Sequence, residues 1–329
     1  MNSFSALLLT QVGRSTEAAL VALDDSNLPE GNVDVRVEYS SLNFKDALAI
    51  TGRGAIVKRW PLVPGIDLAG VVERSAHPGW KPGDRVVVNG WGLGEIHWGG
   101  LAQRARLDGG WLLARPGAYD GRQAMAIGTA GYTAALCVMA LQRHGLTPAD
   151  GPVLVTGASG GVGSVAVVLL AGLGFEVDAS TGRAEQADYL RDLGAAAIVE
   201  RASMATAGKP LQSERWAGVV DTVGSHTLAN ACAATRWNGA IAACGLAQGA
   251  DLPATVLPFI LRGVTLYGIN CVFTPNEKRT QAWALLARHL SAATLARMTH
   301  EIGLSEVIEA SGDLLDGRLR GRTVVAVDR

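Results

Sequence analysis

The segment Val153-Leu154-Val155-Thr156-Gly157-Ala158-Ser159-Gly160-Gly161-Val162-Gly163-Ser164 constrains this chain more than any other. Its first four residues read as a buried strand, glycines then crowd a turn, and the apolar run Val165 to Leu173 follows at helical length. Strand, glycine turn and helix in that order aim backbone N–H groups outward at a helix N-terminus, where side chains would hold an anion away. Such a turn admits a pyrophosphate, and a glycine at the helix start lets helix and strand pack closely. A purely structural tight turn is the plainer alternative, and the rest of the chain argues against it.

After Val153 to Thr156, strands are expected at 175–179, 197–199, 218–221, 240–243 and 264–268, six in all. Helical segments fall between the early ones; Glu185 to Leu193, for example, ends at Gly194, which suits a C-terminal cap. Strands joined by right-handed helical crossovers give an α/β fold with a six-stranded doubly wound parallel sheet, the Rossmann architecture. This domain is expected over 123–291, opening on an Ala-, Met- and Leu-rich helix from Gln123 to Gln142 and closing on a helix from Asn276 to Leu290.

The first 120 residues have another texture. Val33-Asp34-Val35-Arg36-Val37-Glu38 alternates at strand period, and short strands follow at 69–73 and 85–88, the latter after the turn Pro82-Gly83-Asp84. Residues 89–100 read as an ordered glycine- and tryptophan-rich loop, the kind of segment that carries binding groups on a rigid scaffold. The closing strand, 323–327, has no place in a completed six-strand sheet and is expected to return to the first lobe. A β-rich domain of 1–122 plus 292–329 would therefore be interrupted by the parallel-sheet domain, two domains being natural for 329 residues.

Composition narrows the partners. With 48% hydrophobic residues, 18% charged and 41 glycines, the chain suits a tightly packed protein with many close turns. A formal net charge of −1 with no run of Lys or Arg supplies no surface for nucleic-acid phosphates. The start, Met1-Asn2-Ser3-Phe4, has no basic leader, and the run Val165 to Leu173 is far short of the roughly 20 residues a membrane span needs. A cytoplasmic protein with no membrane partner is expected. Cys137, Cys232, Cys244 and Cys271 lack the spacing of a metal knuckle or redox pair and read as apolar thiols.

Cofactor choice turns on the end of the second strand, where an acidic side chain binds a ribose hydroxyl and repels a 2′-phosphate. This chain has Ser180-Thr181-Gly182-Arg183 there. Hydroxyls and a guanidinium suit a phosphate dianion, so NADPH is expected on Ser159, Gly160, Gly161, Val162, Gly163, Ser180, Thr181, Gly182 and Arg183. Two alternatives stay open: Asp178 reads as pointing away from the ribose but a one-residue slip would reverse it, and Arg183 also reads as a solvated residue at a helix start.

The stretches Ser41-Leu42-Asn43-Phe44-Lys45-Asp46-Ala47-Leu48-Ala49-Ile50-Thr51-Gly52, Pro64-Gly65-Ile66-Asp67, Gly90-Trp91-Gly92, His97-Trp98-Gly99-Gly100, Gly128-Thr129-Ala130-Gly131 and Asp221-Thr222-Val223-Gly224 resemble the medium-chain dehydrogenase/reductase superfamily. Within it the chain is similar to the zinc-free, quinone oxidoreductase-like branch, most of all to its acryloyl-CoA reductases. The resemblance covers nearly the whole chain and implies a GroES-like β lobe around the Rossmann domain. Zinc-dependent members place Cys, His and Cys ligands where this chain has Asn43, Ile66 and Thr129, a set that cannot complete a zinc site, so no metal is expected. The implied reaction is hydride transfer to the β-carbon of an α,β-unsaturated thioester and protonation at the α-carbon, driven by alignment and hydrogen bonding. The alternatives are an NADPH-dependent quinone or enone reductase and, in another class, a protein that senses NADPH without turnover.

By the same resemblance Asn43, Asp46, Asp67 and Trp91 are the candidate catalytic residues, Phe44 lines the cleft beside them and counts among the cofactor contacts, and Thr129 lies near the nicotinamide. Phe44 stands where relatives often have Tyr, so it has no proton to give. Asp46 reads equally as a structural hydrogen bond at a helix start, and His97 as a loop-ordering residue more than an acid. Arg201, Leu246, Ile260, Cys271 and Arg318 are further cofactor contacts. Pairing of the sixth strand across a two-fold axis implies a homodimer.

Overall fold

The computed structural model describes residues 3–329, so Met1 and Asn2, on which the expectation of no basic leader partly rests, lie outside the described residues. The chain divides into two compact units. One gathers Met1–Thr129, Cys271–Gln281 and Leu295–Arg329; the other gathers Ala130–Asn270 and Ala282–Thr294. Residues 271–281 fall inside the sequence boundary of the second domain yet belong to the first unit, because Arg279 ties them to the backbone at Asn89.

In the first unit, alternation does what period two requires. Val33, Val35 and Val37 share one face of strand Val33–Leu42 and are buried with Leu68, Val72, Val86 and Val88 from its neighbours. That strand pairs antiparallel with Asp67–Ser75, which pairs in turn with Arg85–Asn89. Its other edge is shared: Arg104–Leu107 takes residues 33–36, and Arg322–Ala326 takes residues 39–42. The closing strand thus joins the β-rich lobe, with Thr299–Gly303 parallel on its outer side. Helix α1, Phe44–Thr51, begins where Asp46 accepts from the Asn43 N–H at 2.9 Å and ends at Gly52, φ 68°.

Helix α2, Gly121–His144, is broken at Gly128, φ 51° and ψ −158°. By length and composition it is the one helix among the described residues able to cross a bilayer, but 94% of its most apolar window is buried inside the protein, which makes it a core helix.

The second unit carries six parallel strands: β1 Val153–Val155, β2 Val177–Thr181, β3 Ala197–Glu200, β4 Trp216–Asp221, β5 Thr235–Ala243 and β6 Thr265–Gly268. Their order, β3-β2-β1-β4-β5-β6, is the doubly wound one, reversing direction between β1 and β4. Helix α3, Gly161–Gly172, follows β1 and buries Val165 to Leu170. The second strand sits two residues later than expected, since Phe175 N–H still closes the preceding helix on Leu170 O and Gly174 turns at φ 86°. The helix expected over 185–193 is a 3-10 turn, Ala184–Gln186, running into a short α-helix, Ala187–Asp192.

Packing of α3 against the turn depends on Gly163. A Cβ there would sit 2.6 Å from Ala158 Cα and closer still to the Gly157 carbonyl oxygen, both backbone atoms that cannot swing away. Gly312, inside helix Val307–Leu315, has open space around the same position. Gly163→Ala is expected to cost about 2 kcal/mol or more by overpacking, whereas Gly312→Ala should add roughly 0.5–1 kcal/mol of helix propensity. Urea unfolding followed by circular dichroism reads both.

Candidate active site

The glycine turn is fastened to the centre of its own sheet. Thr156, at the end of β1, donates its hydroxyl to Asp221 Oδ1 at 2.7 Å and accepts from Thr222 N–H at 3.0 Å, and the Thr222 hydroxyl donates back to Thr156 O at 2.9 Å. Asp221 also accepts from Gly224 N–H, and burial pushes its carboxyl pKa up. These bonds lock the ends of β1 and β4 together at the point where a doubly wound sheet opens for a ligand. Above it, Gly160 is the N-cap of α3 and no side chain caps the helix. The first-turn N–H groups around Gly161, Val162 and Gly163 are thereby presented to an outside anion, and the absence of side chains leaves room for one.

At the end of β2, Ser159 Oγ lies 3.2 Å from Thr181 Oγ1 and accepts from Arg183 Nη2 at 3.0 Å, while Arg183 N–H donates to Thr181 Oγ1. Arg201, exposed after β3, brings its guanidinium to within 2.6 Å of where a Gly182 Cβ would be. Two cations and two hydroxyls therefore surround a glycine, a donor set that fits a phosphate dianion. Ser180 is placed differently: its hydroxyl is buried with no hydrogen-bond partner, inside the sheet. Asp178 accepts from Trp216 Nε1 at 2.8 Å and from Arg215 at 3.3 Å, so its carboxylate serves the sheet interior and leaves the strand end free of negative charge. Leu246 follows β5, more than half exposed, with its Cα against Gly224, and Ile260 projects outward from helix Leu257–Arg262.

In the first unit Asn43, Asp46, Asp67 and Thr129 meet in one buried polar cluster. Asp67 is fully buried; Oδ1 accepts from Ser41 N–H and Ser41 Oγ, and Oδ2 accepts from Asn43 Nδ2 at 3.1 Å and Thr129 N–H at 2.7 Å. Asp46, 1% exposed, accepts from Ile66 N–H through Oδ1 and from Asn43 N–H and Nδ2 through Oδ2. Burial, reinforced by the negative charge of Asp67, pushes the Asp46 pKa up to about 7 against the pull of those donors. Arg322 completes the cluster and was not legible as a site residue. It donates to Ala126 O at 2.9 Å, Asn43 Oδ1 at 3.1 Å and Ser41 Oγ at 2.7 Å. Both carboxylates are thus engaged in holding backbone and side-chain donors.

Residues 29–140 match the family of alcohol dehydrogenase GroES-like domains, and residues 161–288 match the zinc-binding dehydrogenase family. The chain is 51% identical to acrylyl-CoA reductase AcuI of Ruegeria pomeroyi, with 99% of each chain covered. It is 50% identical to the probable acrylyl-CoA reductase AcuI of Escherichia coli, over 98% of this chain and 99% of that one. The chain belongs to the medium-chain dehydrogenase/reductase superfamily. The crystal structure of Escherichia coli K-12 YHDH with bound NADPH superposes with a TM-score of 0.96 at 50% identity, covering 98% of this chain and 99% of that one.

Other residues that the superfamily resemblance singles out stand apart from the buried cluster. Trp91 takes φ 56°, its indole N–H is buried with no hydrogen-bond partner, and its ring lies 4.5 Å from the guanidinium carbon of Arg279. Arg279, a second residue that the sequence did not reveal, is 1% exposed and donates to the carbonyls of Asn89, Cys271, Val272 and Thr274, which fixes the loop bearing Trp91 against the one bearing Cys271. Phe44 is 40% exposed at the start of α1. Arg318 is exposed and paired with Asp313 and Asp316. His97 bonds through its ring to Trp98 O and Glu30 O and packs edge-on to Trp111, the loop-ordering arrangement. Among the described residues no three His, Cys, Asp or Glu side chains come together as a metal site.

Asp67→Asn would turn donors against a donor and leave Arg322 poorly compensated, so a loss of about 3–5 kcal/mol in chemical unfolding is expected. The Asp46 pKa is raised in the fold, so the folded protein binds this proton more tightly than the unfolded chain. The stability it contributes is full below about pH 4 and is lost as pH rises to about 7. In Asp46→Asn, that component of the pH dependence between those limits should vanish from unfolding curves.

Proposed function

We propose that the protein reduces the C=C bond of acryloyl-CoA with NADPH, taking up one proton and releasing propanoyl-CoA and NADP+. The observation that carries this reading is the end-to-end likeness, at 50–51% identity, to the acrylyl-CoA reductases. The donor set at Ser159, Thr181, Arg183 and Arg201 supports NADPH, since it meets a 2′-phosphate with positive charge and hydroxyls where a carboxylate would favour NADH.

When bound, NADPH supplies a hydride for the β-carbon, and a proton completes the α-carbon. The N–H groups at the start of α3 would hold the pyrophosphate and Arg183 the 2′-phosphate. Asp46 and Asp67 act by position: their oxygens carry the loads of Asn43, Ile66, Ser41 and Thr129, and so hold Asn43 and Thr129 in fixed orientation. With Asn43, Ile66 and Thr129 offering no thiolate, imidazole or carboxylate, the proposed reduction proceeds through alignment and hydrogen-bond donation, without a metal.

The working form is proposed to be a homodimer joined through β6. That strand is the edge of the six-stranded sheet, and Val256, Ile260 and Leu261, just before it in the chain, leave apolar side chains 60–69% exposed. A cytoplasmic setting accords with four cysteines that form no disulfide.

Steady-state turnover of acryloyl-CoA against a small quinone tests the substrate: turnover of the quinone alone would sink the proposal, and no hydride transfer to any enone would favour a sensor. For the cofactor, Arg183→Ala should weaken NADPH binding by about 10–100-fold, the worth of a hydrogen bond to a charged group, and leave NADH binding nearly unaffected. Equal losses in fluorescence titrations would contradict it.

A further inference from the structure

Arg322 is a buried cation with a geometry that no reading above requires. It stands first in its strand, 3% exposed, and burial lowers its pKa, so the cost of burying its charge has to be offset by the groups around it. They do so through two relays. Ser41 Oγ accepts from Arg322 Nη2 and donates to Asp67 Oδ1 at 2.8 Å. Asn43 Oδ1 accepts from Arg322 Nη1 while Asn43 Nδ2 donates to Asp67 Oδ2 and Asp46 Oδ2, each at 3.1 Å. A carboxamide has one oxygen and one nitrogen, so a cation on one side and two acids on the other fix which way it faces.

The third arm, Nε, holds Ala126 O. Two residues on, the chain leaves helical geometry at Gly128, and Thr129 N–H is taken by Asp67. A Cβ on Gly128 would lie 2.5 Å from Arg322 Nη2 and 3.0 Å from Asp67 Oδ2, so the turn is threaded between cation and acid with no room to spare. One guanidinium therefore sets both the Asn43 carboxamide and the backbone that presents Thr129. A lysine, with a point charge on a flexible stem, cannot span the three acceptors in that planar fork.

We propose that Arg322 is a positioning residue of the reductase: it fixes Asn43 and the 126–129 turn for hydride transfer while touching neither cofactor nor substrate. The proposal rests on the reductase reading above. Its test uses Arg322→Lys and, as a milder variant that keeps the cation, Ser41→Ala. Thermal unfolding establishes the folded fraction, NADPH titration gives Kd, and kcat, KM and the deuterium isotope effect with NADPH labelled at the transferred hydride isolate the chemical step. Hydrogen exchange at the Thr129 amide reads the turn without turnover.

In Arg322→Lys the turn amide should exchange at least ~10-fold faster and kcat should fall by about 100-fold, the cost of a misplacement near 1 Å. Kd for NADPH and KM should stay within about threefold, and the isotope effect should rise. Ser41→Ala should move the same way by a smaller factor. A kcat loss that merely follows the folded fraction, or an unchanged isotope effect beside faster exchange at Thr129, overturns the proposal. If wild-type protein does not reduce acryloyl-CoA, the substrate reading fails by itself, and the same comparison is made on whichever enone or quinone it reduces. If Arg322→Lys does not fold, Ser41→Ala decides: unaltered exchange and isotope effect overturn the proposal, and both changed support it.

Discussion

A guanidinium and two carboxylates share one buried cluster in the first unit, and much of the surrounding chain is shaped by the need to keep them compensated. Stripping any one of three such groups of its partners costs several kcal/mol, a large part of the net stability of a domain. Neither acid meets Arg322 as a simple ion pair; hydroxyl and carboxamide dipoles of Ser41 and Asn43 stand between them. That arrangement accounts for why α2 breaks at a glycine, why Asn43 caps α1, and why the strand Asp67–Ser75 begins with a buried acid. Four separate stretches of chain are registered against one another by a handful of polar atoms.

The second unit solves a related problem with fewer charges. A phosphate-binding turn must keep its N–H groups unspent, so its rigidity has to come from below. Thr156, Asp221 and Thr222 provide much of it, joining the ends of β1 and β4 so that the turn rides on the sheet. The space above can then stay free of side chains.

What the sequence makes legible is whatever is local. The strand, glycine turn and apolar helix of 153–173 announce themselves within one window, and the alternation of Val33, Val35 and Val37 states its own face. Asp178 reads from the sequence as pointing away from the ribose with a one-residue slip left open, and in the structure its carboxylate accepts from Trp216 Nε1. Arg322 and Arg279 stayed hidden for the opposite reason. Arg322 sits after Gly321 like a surface turn residue, and its acceptors lie 196 to 281 positions away; Arg279 looks like one more charge on a polar helix until the carbonyl at Asn89, 190 positions distant, is brought to it. Gly128 is similar, since a glycine in an Ala-rich helix gives no sign that a guanidinium will press on it. Ser180 and Thr181 were expected just past the end of the second strand; the two-residue shift places both inside β2, where the Ser180 hydroxyl is buried without a hydrogen-bond partner and Thr181 Oγ1 meets Ser159 and Arg183.

The shared edge of strand Val33–Leu42 carries a further consequence. On that edge residues 39–42 pair with Arg322–Ala326, a strand made after the whole parallel sheet. During synthesis the ribosome releases all six strands of the second unit before the first lobe can close, so the lobe translated first is the one finished last. Until then Ser41, Asn43, Asp46 and Asp67 await the cation that completes them. A nascent chain of this fold therefore holds an open sheet edge for most of its time on the ribosome, and the ordering of its most polar interior is among the final events of folding.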